Sequence, residues 1–107
     1  SYGEGFGIPL IEAQSAGTRV LTSSWTAMSD LAGPSSWIVA GQPWWDETQS
    51  AMYQIPLISS IVDGLKLAYD APRGVDEESR EWAKQFDVEQ VWQQKWLPFW
   101  RDYFNAG

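Results

Sequence analysis

Two glutamates stand eight positions apart in the run Gly3-Glu4-Gly5-Phe6-Gly7-Ile8-Pro9-Leu10-Ile11-Glu12-Ala13, joined by a glycine-rich loop that leads into a helix. Glycines let backbone approach a ligand closely, and the first turn of a helix offers unpaired N–H groups to an anion. A carboxylate accepts two hydroxyl groups at once with charge-assisted strength. Glu4 precedes the helix while Glu12 lies about one turn inside it. The pair can therefore hold the two ends of one extended ligand whose phosphate sits between them. The amides of Gly7, Ile8, Leu10 and Ile11 would face that phosphate, and Pro9 has no N–H to give. On spacing alone such a pair is common by chance, and both carboxylates read equally as solvated surface groups.

The elements that must position these groups follow from punctuation and periodicity. Residues 1–7 read as a loop, and Pro9 suits the first turn of a helix because its fixed φ fits there. Leu10, Ile11, Ala13 and Ala16 make that helix largely apolar, and Gly17 ends it as a C-terminal cap. Val20-Leu21-Thr22 is a short buried strand, so loop, helix, cap and strand form half of a βαβ unit and predict a parallel sheet. Ser24 and Thr26 are placed to cap a short helix through Leu31, stopped by Gly33-Pro34. Trp37-Ile38-Val39 is the next strand, residues 41–48 a loop carrying Trp44 and Trp45, and residues 51–55 a short strand or extended edge.

Pro56 opens a helix with Leu57, Ile58, Ile61, Val62, Leu65 and Ala68 on one face, ended by Pro72. Asp76 caps a second helix carrying Trp82, Ala83 and Phe86. Asp87 with Gln90 reads as a capping box for a third, carrying Val88, Val91, Trp92 and Trp96, which Pro98 should kink or end. Helical spacing assigns Trp82, Trp92 and Trp96 to the core. The tail Phe99-Trp100-Arg101-Asp102-Tyr103-Phe104 is too apolar for a free terminus and is expected to dock on another surface.

Composition closes several routes. The 107 residues suit one small domain, and 44% of them are hydrophobic, enough for a core and against wholesale disorder. Cysteine and histidine are both absent, which removes disulfides, thiolate metal sites, the usual zinc ligand and the usual base of a Ser or Cys triad. A net charge of −7 with seven scattered basic residues argues against nucleic acid as a partner. No apolar run approaches the roughly 18–20 residues of a membrane span and no secretory leader is recognisable, so a cytoplasmic location is expected.

With Gly17-Thr18-Arg19-Val20 behind it, the glutamate motif resembles the nucleotide-sugar site of GT4-type retaining glycosyltransferases, the group 1 glycosyl transferases of GT-B fold. Ser24-x-x-x-Met28-x-Asp30-Leu31-x-Gly33 and Arg80-x-x-Ala83-x-x-Phe86 are similar to later parts of the same family. The resemblance is specific over about the first 40 residues and elsewhere holds only in helical pattern. It implies an α/β fold: the C-terminal half of a Rossmann-like donor-binding domain, with a short parallel sheet flanked by helices, over residues 1–107. The acceptor domain and the first half of the donor domain would lie upstream.

The resemblance further implies that Glu4 is the catalytic residue, contacting donor sugar hydroxyls close to the reacting carbon, and that Glu12 contacts the ribose hydroxyls. Gly5, Phe6, Gly7, Ile8 and Leu10 would be backbone donors to sugar and phosphate. The reaction would transfer a hexosyl group from a nucleotide-diphosphate sugar to an acceptor hydroxyl with retention, without metal or other cofactor, because helix dipoles and basic residues stabilise the leaving group. The family's phosphate-binding Arg and Lys are missing from this chain, and Arg19, at the far end of the helix, is a poor substitute. The chain alone is therefore expected to be inactive and to need its upstream portion or a dimer partner. Arg19 stands where the family often has proline, Ser29-Asp30 stands where it often has Pro-Glu, and residues 42–53 match nothing in it.

Two rivals use the same sequence differently. A non-catalytic carbohydrate- or protein-binding module would act through the tryptophan-rich surface after Gly41. A sugar-nucleotide epimerase would carry its own acid–base residues and would not need Glu4 and Glu12 in this register.

Overall fold

Pro9 begins a helix as its ring geometry demands, and the computed structural model, which describes residues 1–106, builds the fold outward from there. Helix α1 (Ile8–Ser15) is preceded by Gly7 in the left-handed region at φ 96°. It closes in a Schellman motif, with Gly17 N–H donating to the Gln14 carbonyl and Thr18 N–H to the Ala13 carbonyl. Gly17 holds φ 82°, which a side chain would strain, and a Cβ there would also meet Val75 Cγ1 at 2.5 Å.

Strand β1 (Leu21–Ser23), helix α2 (Ala27–Asp30) and strand β2 (Trp37–Val39) follow, with β1 and β2 parallel and Leu21, Thr22 and Ser23 opposite Trp37, Ile38 and Val39. The expected parallel sheet is thus present, as a pair of strands. The expected loop over residues 41–48 is instead strand β3 (Gly41–Asp46), paired antiparallel with β4 (Ala51–Pro56) in a separate hairpin. Pro43 is tolerated because it stands opposite Gln54, whose N–H turns away from β3 to the Tyr2 carbonyl.

Helix α3 (Ile58–Asp70) lies on the parallel strands through Gly64, where a Cβ would meet Leu21 Cδ1 at 2.5 Å. Helix α4 (Glu77–Ala83) packs beside α1 and passes through a 3-10 turn, Lys84–Phe86, to α5 (Val88–Val91). Asp76 caps α4 through the Ser79 N–H, and Asp87 caps α5 through the Glu89 and Gln90 N–H groups. Pro98 does not stop the last helix. A π-helical stretch, Trp92–Trp96, leads directly into α6 (Leu97–Asn105), and its wider turn makes room for a ring that would clash with the carbonyl four residues back.

The core is thin. Val20, Met28, Leu31, Val39 and Ala83 are the buried apolar residues, and the chain spreads as a slab of 56 × 43 × 15 Å. It exposes 7583 Å² where a compact monomer of this length would expose about 6000 Å². Its radius of gyration is 17.3 Å against about 13 Å for a compact chain. Much of the excess is apolar. Ile58, Val62 and Leu65 on α3, expected to be covered, face outward, and so do Trp92 and Trp96, which were assigned to the core. Trp82 alone of those three tryptophans is half-buried, against Phe86. The aromatic ridge of Trp96, Phe99, Trp100, Tyr103 and Phe104 stacks only upon itself. Among the described residues no helix is long and apolar enough to cross a membrane.

Candidate functional site

The loop carrying Glu4 is held from two sides. On one, the Gln54 N–H of the hairpin donates to the Tyr2 carbonyl, and Gly3 lies against the Tyr53 ring closely enough that a Cβ would meet Cδ1 at 3.3 Å. On the other, the Glu4 amide donates to Thr26 Oγ1 at 2.9 Å. Thr26 was expected to cap α2, yet its side chain makes no capping bond because the hydroxyl serves Glu4. Thr26 itself sits at φ 55°, ψ −148°, a region that β-branched residues avoid. Such strain, of order 1–3 kcal/mol, persists where surroundings over-determine a residue, and it clusters at functional sites.

Beyond Glu4 the chain turns into α1 with its first turn uncapped: no side chain bonds the amides and no acidic residue occupies that turn. Among the described residues the amides of Gly5, Phe6, Gly7 and Ile8 donate to no other group. Leu10, also expected to offer its amide outward, donates it instead to the Gly7 carbonyl at 3.1 Å, tightening the first turn. Phe6 is exposed and meets Phe86 edge-on at 6.5 Å, while Gly5 has open space around it. The side chain of Ile8 is exposed.

Glu12 lines a cleft of about 330 Å³ with Arg80, Lys84, Phe86 and Asp87. Glu4 does not line that cleft, so the structure does not bring the two acids to one cavity, as the shared-ligand reading expected. Arg80 was picked out in sequence for its pattern with Ala83 and Phe86, and Lys84 was not; the place of both beside Glu12 comes only from tertiary packing. Asp76 makes the join. Its N–H donates to the Gly17 carbonyl at 2.8 Å, and its carboxylate accepts from the Ser79 N–H and hydroxyl and from Arg19 at 3.0 Å. The end of α1 is thereby fixed to the start of α4. The Ser79 hydroxyl foremost, against the opposing effect of burial and with the Ser79 amide, Ser35 and Arg19 adding, lowers the Asp76 pKa from 3.8 to about 2. Arg19 is committed to this clamp, beyond the C-terminal end of α1. Arg80 and Lys84 pair only with exposed Glu77 and Glu81.

Gln14 supports the site from beneath. Its side chain is fully buried, donating to the Leu10 and Leu31 carbonyls and accepting from the Gly33 N–H and, at 3.4 Å, the Ser36 hydroxyl. A polar residue on the inner face of an otherwise apolar helix was its one sequence signal. Scans against protein-family models, curated proteins and solved structures return no match to this chain.

Proposed function

We propose that this chain is the donor-binding part of a retaining glycosyltransferase similar to the GT4 type, the C-terminal half of a Rossmann-like domain in a GT-B enzyme. The observation that carries the reading is the uncapped start of α1. The consecutive amides of Gly5, Phe6, Gly7 and Ile8 have no partner among the described residues, and they lie in sequence between the carboxylates Glu4 and Glu12. A helix start carries about half a positive charge, suited to a diphosphate. Glu4 would accept hydroxyls of the donor sugar, and Glu12, at the edge of its cleft, those of the ribose. Arg80 and Lys84 are candidates for the cationic side of that cleft.

In the reaction the bond between the anomeric carbon and the phosphate oxygen breaks, and the acceptor oxygen bonds to that carbon on the same face. The acceptor proton passes to the departing phosphate oxygen. The α1 amides stabilise charge developing on the phosphate, which is where electrostatic catalysis is largest. The upstream portion of the enzyme, or a partner chain, would supply the acceptor site and cover the apolar faces of α3 and α6.

Titration of the ¹⁵N-labelled chain with UDP-glucose and GDP-mannose tests this. Amide shifts are expected at Gly5, Phe6, Gly7 and Ile8, and Glu12→Gln should weaken binding by roughly tenfold or more, the loss of one charge-assisted contact. Unaltered binding in Glu12→Gln, or shifts that leave the α1 start unmoved, would refute the assignment.

A further inference from the structure

We infer that the hairpin carries a binding cleft for a neutral sugar ring, walled by Tyr2, Trp44 and Tyr53 and edged by Asp46 and Gln49. The cleft, about 430 Å³, is within the size range of small-molecule sites, and it is separate from the one beside Glu12. Trp44 and Tyr53 are directly opposed across β3 and β4 and stack at 6.1 Å, while the Tyr2 ring stands edge-on to Trp44 at 6.3 Å. Trp44 keeps 44% of its surface exposed although three aromatic rings gather there, so the cluster presents a face that it does not itself bury.

The polar rim completes the match. Asp46 Oδ1 accepts from the Thr48 N–H and hydroxyl, and its second oxygen has no partner among the described residues. Gln49 accepts from the Tyr53 hydroxyl, which holds its amide at the rim. A pyranose has an apolar C–H face and a circumference of hydroxyls, and that is the complement of aromatic walls beside a carboxylate and an amide. Ser1 and Gly3 complete the lining; no lysine or arginine side chain lines the cleft, and the Asp46 carboxylate disfavours an acidic ligand, so a neutral sugar fits it best. A proline-rich peptide also favours aromatic walls, and it is the competing ligand of the test below.

Gly3 belongs to this cleft and Glu4 follows it, so the sugar lies next to the donor loop. Its use as an acceptor subsite rests on the donor reading, whereas its affinity for a neutral glycan does not. The test follows indole N–H signals of the ¹⁵N-labelled chain during titration with maltose, cellobiose, glucuronic acid and a proline-rich peptide. Saturable shifts of the Trp44 indole with a neutral disaccharide at millimolar concentration are expected, with little response to glucuronic acid. Trp44→Ala should weaken that binding at least tenfold, and Asp46→Asn, which preserves volume and the turn, several-fold. Neutral sugars that leave Trp44 unmoved, a disaccharide bound equally by Asp46→Asn, or tighter binding of the peptide would each overturn the inference. Nucleotide-sugar shifts read at the α1 amides report the donor reading separately.

Discussion

Replacing Gln14 by leucine isolates what one buried amide does for the whole loop and helix assembly. Gln14 has no exposed surface, and its side chain spans α1, the residue after α2 and the turn before β2. Leucine of similar size would fill the space but make none of the bonds. The Leu10 carbonyl keeps its helical partner, and the half-buried Ser36 hydroxyl can turn to water. The Leu31 carbonyl and the Gly33 N–H lose the partners they have, bonded now at 2.7 Å each. Two orphaned buried groups at about 1–3 kcal/mol each give about 2–6 kcal/mol, and the added apolar burial returns part of it. A net loss of about 3 kcal/mol is expected, from a total of about 5–15 kcal/mol for a domain of this size. In melting temperature that is roughly 12–24 °C. Urea unfolding followed by circular dichroism, with slope and midpoint fitted together, reads the quantity directly. Gln14→Glu should be worse at neutral pH, because it buries a carboxylate charge against the two carbonyl oxygens that now accept from the amide. A loss below about 1 kcal/mol in Gln14→Leu at unchanged slope would refute the hub, since bonds worth so little cannot be holding buried backbone.

The Asp76 clamp predicts a defined acid window. Its folded pKa is about 2, below the ordinary 3.8, so the unfolded chain binds the extra proton. Its contribution is present above about pH 4 and disappears as pH falls through 2. Asp76→Asn should therefore be less stable than the native chain at neutral pH, the two converging as acid titration approaches pH 2, and a constant gap across that range would contradict the assignment. Leu65 and Phe104 are 56% and 75% exposed, so Leu65→Lys and Phe104→Lys should each change stability by no more than about 0.5 kcal/mol. Larger losses in thermal unfolding of this chain alone would mean that its own residues cover these faces.

Much of the scaffold was legible because local chemistry enforces it. Pro9 and Gly17 bound α1, the apolar triplet Trp37-Ile38-Val39 makes β2, β1 lies one residue beyond the expected Val20-Leu21-Thr22, and Asp76 and Asp87 cap the later helices α4 and α5. The hairpin was not legible. Gly41, Pro43 and the turn residues 47–50 carry loop signals, and two adjacent tryptophans hide the alternation that the pairing of Trp44 with Tyr53 and Trp45 with Met52 obeys. Periodicity likewise grouped Trp92 with Trp96 and Ile58 with Leu65 on shared faces. It says which residues lie together and nothing about what lies over them. In the candidate site, the positions of Glu4 and Glu12 relative to α1 followed from spacing. The roles of Thr26, Gln14, Arg80 and Lys84 depend on contacts between distant segments, and the local patterns that include them do not give those contacts.

The main-chain bond from Gln54 to Tyr2 ties the hairpin to the segment leading into Glu4. On the proposed reading, ligands bound at the two sides would change each other's affinity by the same factor. Lengthening or stiffening the far turn at residues 47–50 would consequently tune the grip on the acidic loop without altering any atom of it.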